Sequence, residues 1–163
     1  MNKLGTLRIL LLLCLGISSV TWHSHARADG DCKTIKATMT TIADLAAFTT
    51  VGQIRGNLKG TTQFTGDPAS LVPIMSEPSP PLNPTFSYTG DLVITMKDGT
   101  LTTRSVGVFE TVSFGVGTQF DRVIDGTGAF RGATGFLFFN FQANADLTHF
   151  TSTISGELCL QDD

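Results

Sequence analysis

The chain has 163 residues, of which only 15% are charged and 41% are hydrophobic, with 17 glycines, 12 phenylalanines and a formal charge of −3. That balance suits strands and turns rather than exposed helices, and it excludes a disordered or strongly basic protein. An acidic chain is a poor partner for nucleic acid or for anionic membrane surfaces.

Residues 1–28 read as an export signal rather than as fold. Lys3 and Arg8 precede an apolar run from Ile9 to Val20, and Ala26-Arg27-Ala28 offers small residues where a signal peptidase cuts, placing cleavage before Asp29. An apolar run of about 12 residues falls short of the roughly 20 needed to cross a bilayer, so no integral membrane span is expected. Removing Lys3, Arg8 and Arg27 leaves 8 cations against 14 acids, about −6 for the mature chain. The mature chain, residues 29–163, fits a single domain with one core. It is expected to be secreted or periplasmic, and in such a compartment Cys32 and Cys159 are expected to form a disulfide, the alternative being two free buried thiols. Only His149 is left to join them, so neither a metal site nor a cofactor is expected.

Residues 33–44 suit either a first strand or a short helix. From Gly52 to Gly66 the even positions are apolar or small (Ile54, Leu58, Phe64) and the odd ones polar (Gln53, Arg55, Lys59, Gln63), which predicts one strand with an inner and an outer face. Six prolines between Pro68 and Pro84 predict a long loop over 67–84, either a lid, an oligomer arm or a mobile insertion. Alternation resumes at Thr85–Lys97, with Phe86, Tyr88, Leu92, Ile94 and Met96 on one face, and Asp98-Gly99 predicts a tight hairpin into a return strand over about 100–113. That strand places Leu101 and Phe109 on one face and Val106 and Val108 on the other. Further strands are expected over about 118–124, 135–143 and 147–159. The run Phe136-Leu137-Phe138-Phe139-Asn140-Phe141 is apolar on both faces, and a water-facing wall should not be. Seven or eight strands with short connections favour an all-β protein, an eight-stranded antiparallel β-barrel whose closure removes exposed edges. The doubly apolar strands imply an outer wall covered by another subunit, hence a homo-oligomer, a trimer or dimer.

The segment Phe120-Asp121-Arg122-Val123-Ile124-Asp125-Gly126-Thr127-Gly128-Ala129-Phe130-Arg131-Gly132-Ala133-Thr134-Gly135, preceded by the Asp98-Gly99 hairpin and the strand through Phe109, resembles the allene oxide cyclase and dirigent superfamily of small barrels. Members carry a segment like Gly-Gly-Thr-Gly-x-Phe-x-x-Ala-x-Gly, from which this chain departs by Asp125 at the first glycine. The resemblance covers about residues 85–142 and implies a secreted bacterial member: an eight-stranded, calycin-like antiparallel barrel, commonly trimeric, whose lumen takes a hydrophobic small molecule. Allene oxide cyclases guide the ring closure of a fatty-acid epoxide, dirigent proteins steer the coupling of phenoxy radicals, and related bacterial barrels catalyse cyclisations. All work by confinement more than by catalytic groups. The catalytic glutamate of the cyclases has no match on the first strand here, where Gln53 and Arg55 take the polar face.

No nucleophile elbow, zinc-protease motif or phosphate loop is present. Glu110, in a doubly apolar strand, would have a raised pKa if held in the lumen, and Tyr88, the only tyrosine, could hydrogen-bond a ligand; these are the candidate catalytic residues. Arg104 shares the parity of Glu110 and could pair with it. Phe86, Leu92, Ile94, Phe109, Phe136, Phe138 and Asn140 are the candidate lumen residues, whereas Asp121, Arg122 and Asp125 read as turn caps or surface pairs. The expected function is binding of a small hydrophobic ligand. Whether the chain is an enzyme, as a cyclase or isomerase, or a non-catalytic oligomeric structural protein stays open.

Overall fold

A computed structural model describes residues 31–74, 85–111 and 115–161. Nine strands follow in chain order: β1 (Asp31–Asp44), β2 (Thr49–Gly56), β3 (Gly60–Gly66), β4 (Val72–Ile74), β5 (Thr85–Met96), β6 (Gly99–Glu110), β7 (Gly117–Gly126), β8 (Thr134–Ala143) and β9 (His149–Leu160). Every pairing is antiparallel. Except for β3 and β4, strands adjacent in sequence pair with each other, β1 pairs with β9, and β3 pairs with β5, so eight strands close into a barrel. The three-residue β4 lies along the part of β5 that β3 leaves free, pairing Pro73 with Phe86. The expected eight-stranded antiparallel barrel is therefore the fold.

One open expectation is settled and two change. Residues 33–44 are strand, along β1. The alternating run 52–66 is a hairpin: Asn57 turns the chain and ties it to β1, accepting from Lys36 N at 2.8 Å through Oδ1 and donating to Thr34 O at 2.6 Å through Nδ2. Leu58 keeps the inward parity through the turn, so the alternation continues unbroken in sequence although the strand does not. The described part of the proline-rich stretch is no free loop, since a 3-10 turn at Pro68–Ser70 capped by Asp67 leads into β4. Residues 75–84 and the expected export signal over 1–28 lie outside the described residues.

The inner wall carries Ile35, Ile54, Phe64, Leu92, Ile94, Leu101, Leu137, Phe139, Ile154 and Leu158, all buried. Full burial of such side chains contributes about 1.5–3 kcal/mol each. One end of the barrel is closed by Leu58, Phe130 and Ala133. There the glycine-rich motif turns through Gly128–Phe130, and Ala129 N donates to Asp98 O at 2.9 Å, docking the motif onto the β5–β6 hairpin. Gly128 has φ +59°, and a Cβ on it would collide with the Asp98 carbonyl, so a side chain is refused twice. A disulfide joins Cys32 to Cys159, directly opposed residues of β1 and β9, across the seam that closes the sheet.

Candidate functional site

At the other end the lumen opens beneath the β1–β2 and β8–β9 turns. Asp44 Oδ1 accepts from Ala46 N and Ala47 N, holding the first turn, and Phe48 follows with φ +53°, a conformation that a bulky residue rarely adopts. Its ring meets Phe64 at 6.3 Å and Tyr88 at 6.1 Å edge-on, and Tyr88 in turn meets Phe109 at 5.8 Å. Beneath these rings lies a cavity of about 100 Å³, bordered also by Leu92, Phe141 and Phe150 and by the polar side chains of Thr41, Gln119 and Ser152. A dry apolar cavity of about 150 Å³ admits benzene, so this one accommodates a molecule of a few heavy atoms.

The lumen wall below is polar where β6 and β7 face each other. Asp121 has no exposed surface, and among the described residues it forms no ion pair. Its partners are neutral: Thr103 Oγ1 donates to Oδ2 at 2.6 Å, and Gln119 Nε2 donates to Oδ1 at 2.8 Å and also to Ser105 Oγ at 3.2 Å. Tyr88 Oη donates to Gln119 Oε1 at 2.7 Å. A single chain of hydrogen bonds thus runs from the buried acid to the cavity wall. Burial pushes the Asp121 carboxyl above the usual range, against the opposing pull of its hydrogen bonds from Thr103, Gln119 and Ser105. Burial likewise raises the Tyr88 phenol, with the Asp121 charge adding to it. Room for the tyrosine comes from its cross-strand partner, because Gly107 lies under the ring and any Cβ there would overlap it.

The sequence candidates divide by face. Tyr88, Leu92, Ile94, Phe86 and Phe109 have inward parity, with Phe86 against Phe109 at 5.8 Å near the open end. Phe136, Phe138 and Asn140 stand on the outer wall; it is Leu137, Phe139 and Phe141 that turn inward. Both sets are apolar, and the pleat admits only one to the lumen. Glu110 has the outward parity of Val106 and Val108, so the geometry does not bring it to Tyr88. Arg104 also faces out and pairs with Asp91 at 2.5 Å rather than with Glu110, the candidate partner. His149 sits exposed at a turn, with Nδ1 2.9 Å from Thr148 Oγ1. Cys32, Cys159 and Glu157 cluster closely, but both sulfurs are committed to the disulfide and cannot act as thiolate ligands.

Asp121, Gln119, Thr103 and Ser105 were not legible as a group. The available signal was parity: Gln119, Asp121 and Val123 share a face, and Val123 is an obvious core residue.

No family model and no curated protein matches the chain. Among solved structures it is similar to two pterocarpan synthase dirigent proteins. PsPTS1 is 11% identical, with 81% of this chain and 97% of that one covered and a TM-score of 0.34; GePTS1 is 9% identical, with 82% and 90% covered and a TM-score of 0.35. At such values neither match bears on ligand or reaction.

Proposed function

We propose that this exported barrel binds a small apolar molecule at the open end of its lumen. The observation that carries the reading is the cavity under Phe48, walled by aromatic rings yet served by one hydrogen-bonded polar chain ending at Tyr88 and Gln119. Small-molecule sites have that composition: apolar walls with a few placed polar groups. The Cys32–Cys159 disulfide supports an oxidising, secreted or periplasmic location. The test is native mass spectrometry of protein taken from its own source, followed by backbone NMR with an added apolar probe such as benzene. Shifts at Phe64, Leu92 and Phe141, with none at Val106 and Phe138 on the outer wall, are expected. A ligand-free mass together with silent lumen resonances would refute the reading.

A second reading, a cyclase or isomerase, draws support from the aromatic enclosure under Phe48, because a confining wall restricts the conformations a substrate can take. It requires that a molecule found in the lumen change its isomeric composition on incubation with excess protein. An unchanged ligand would leave a binding protein. Self-association is supported by the exposed row of Val106, Phe120, Phe136 and Phe138 on adjoining strands, with Phe120 and Phe136 stacked at 6.0 Å.

A further inference from the structure

The direction of the hydrogen bonds in the lumen says more about the ligand than the cavity's shape does. When Asp121 is ionised its carboxylate only accepts, so the Gln119 amide must turn its NH₂ toward it, at 2.8 Å, and its oxygen the other way. Both amide hydrogens are then occupied, one by Asp121 and one by Ser105 at 3.2 Å. The outward oxygen takes the Tyr88 phenol hydrogen at 2.7 Å. Tyr88 and Gln119 both border the cavity, and each has spent its donors within the wall. What they retain for a ligand is acceptor capacity alone, on Tyr88 Oη and Gln119 Oε1. An amide that was free to turn would accept either kind of partner; this one is fixed by an acid it reaches and the ligand does not.

We propose that Gln119 and Tyr88, oriented by Asp121, make the lumen selective for an apolar molecule whose polar group donates a hydrogen bond, an alcohol in preference to the matching carbonyl compound. This rests on the lumen-binding reading above and adds the chemistry of the head group. A carbonyl oxygen placed there would face two oxygens with no hydrogen between them, losing its water partners for nothing. Asp121 is the positioning residue, since it acts only through Gln119.

The test compares cyclopentanol with cyclopentanone, which share a carbon skeleton of a size near that of the cavity, by NMR titration of the intact, disulfide-bonded protein at pH 8. The expected result is an alcohol Kd about tenfold below that of the ketone, the worth of one hydrogen bond. Asp121→Asn supplies the second arm. Its amide can donate to Gln119 Oε1, which lets Gln119 turn over and frees the Tyr88 hydrogen for the cavity, so the preference should fall or reverse. Equal affinities in the wild type, or a ketone preference, would overturn the proposal while leaving lumen binding intact. An alcohol preference unchanged in a folded Asp121→Asn protein would overturn the role given to Asp121. If neither compound moves the lumen resonances, the binding reading and this one fall together. The wild-type comparison decides even if the variant does not fold.

Discussion

Replacing Asp121 by asparagine should remove a specific component of the pH dependence of stability, and its sign follows from burial. The carboxyl is held above its ordinary pKa because it is enclosed without a cation, and its hydrogen bonds only partly offset that cost. Below about pH 3.9, the reference value of an unfolded aspartate, both the folded and the unfolded chain carry the proton. As pH rises above that value the unfolded chain releases it first, so folding takes up one proton and the folded state loses ground. The loss runs at up to about 1.4 kcal/mol per pH unit, the limit for a single proton, and stops once pH passes the folded pKa. Stability from this group is therefore greatest in acid and declines upward from about pH 4, the opposite of a salt-bridged carboxylate. Urea unfolding of the disulfide-intact wild type and Asp121→Asn proteins between pH 4 and 8 isolates the component, because Tyr88, whose phenol feels the Asp121 charge, keeps its proton throughout that range. The difference, variant minus wild type, should climb with pH and then level off at constant m-value. Parallel curves over the whole range would mean that Asp121 ionises as freely in the barrel as in the unfolded chain, and the argument from burial would be wrong.

Face assignment on β8 is tested by neighbours. Leu137→Ala should cost about 3 kcal/mol in urea unfolding, since Leu137 is wholly buried, whereas Phe136→Ala, with 42% of its residue surface exposed, should cost about 1 kcal/mol or less; equal costs would refute the parity. The disulfide closes a separation of 127 residues, which in the chain-entropy model is worth about 5 kcal/mol, so a Cys32→Ser and Cys159→Ser double variant should lose several kcal/mol in urea unfolding, and a loss under about 1 kcal/mol would contradict that account. Sedimentation of the wild type should show an oligomer that Phe120→Asp dissociates with its strand content intact by circular dichroism; a wild-type monomer at high protein concentration would rule out self-association through the Val106, Phe120 and Phe138 row.

How far the sequence could be read depended on whether a strand's two faces differed in kind. On β5 they do: Tyr88, Leu92 and Ile94 alternate with Thr89, Asp91 and Thr95, and the inner face was assigned correctly, although the two-residue turn is Lys97-Asp98, one position before the expected Asp98-Gly99, with Gly99 already paired to Met96. The Cys32–Cys159 disulfide was legible because export was expected from residues 1–28 and two cysteines remain beyond them. On β6, β7 and β8 the usual contrast is inverted or absent. Thr103, Ser105, Gln119 and Asp121 face inward, while Val106, Val108, Phe120, Ile124, Phe136 and Phe138 face outward. A rule that sends apolar residues to the core puts Phe136 and Phe138 inside and Asp121 at the surface, as the sequence reading did.

The inversion has one physical source. A polar set can face the lumen only if its members satisfy one another, and that depends on cross-strand register: Thr103 lies opposite Val123 and Ser105 opposite Asp121, with a bulge at Thr102/Thr103 setting the offset. Register is a property of two strands, so neither β6 nor β7 alone announces it. Once they are paired, the donors of Thr103 and Gln119 fall on both carboxylate oxygens and the acid becomes tolerable at zero exposure. The same pairing aligns Val106 with Phe120, and β8 then adds Phe138 to the row, so the step that satisfies the polar lumen also assembles the apolar outer surface. The candidate site and the candidate oligomer face are thus opposite sides of one stretch of sheet. A one-residue slip of β7 against its neighbours would bury Phe120 and Arg122 in place of Gln119 and Asp121, and abolish both.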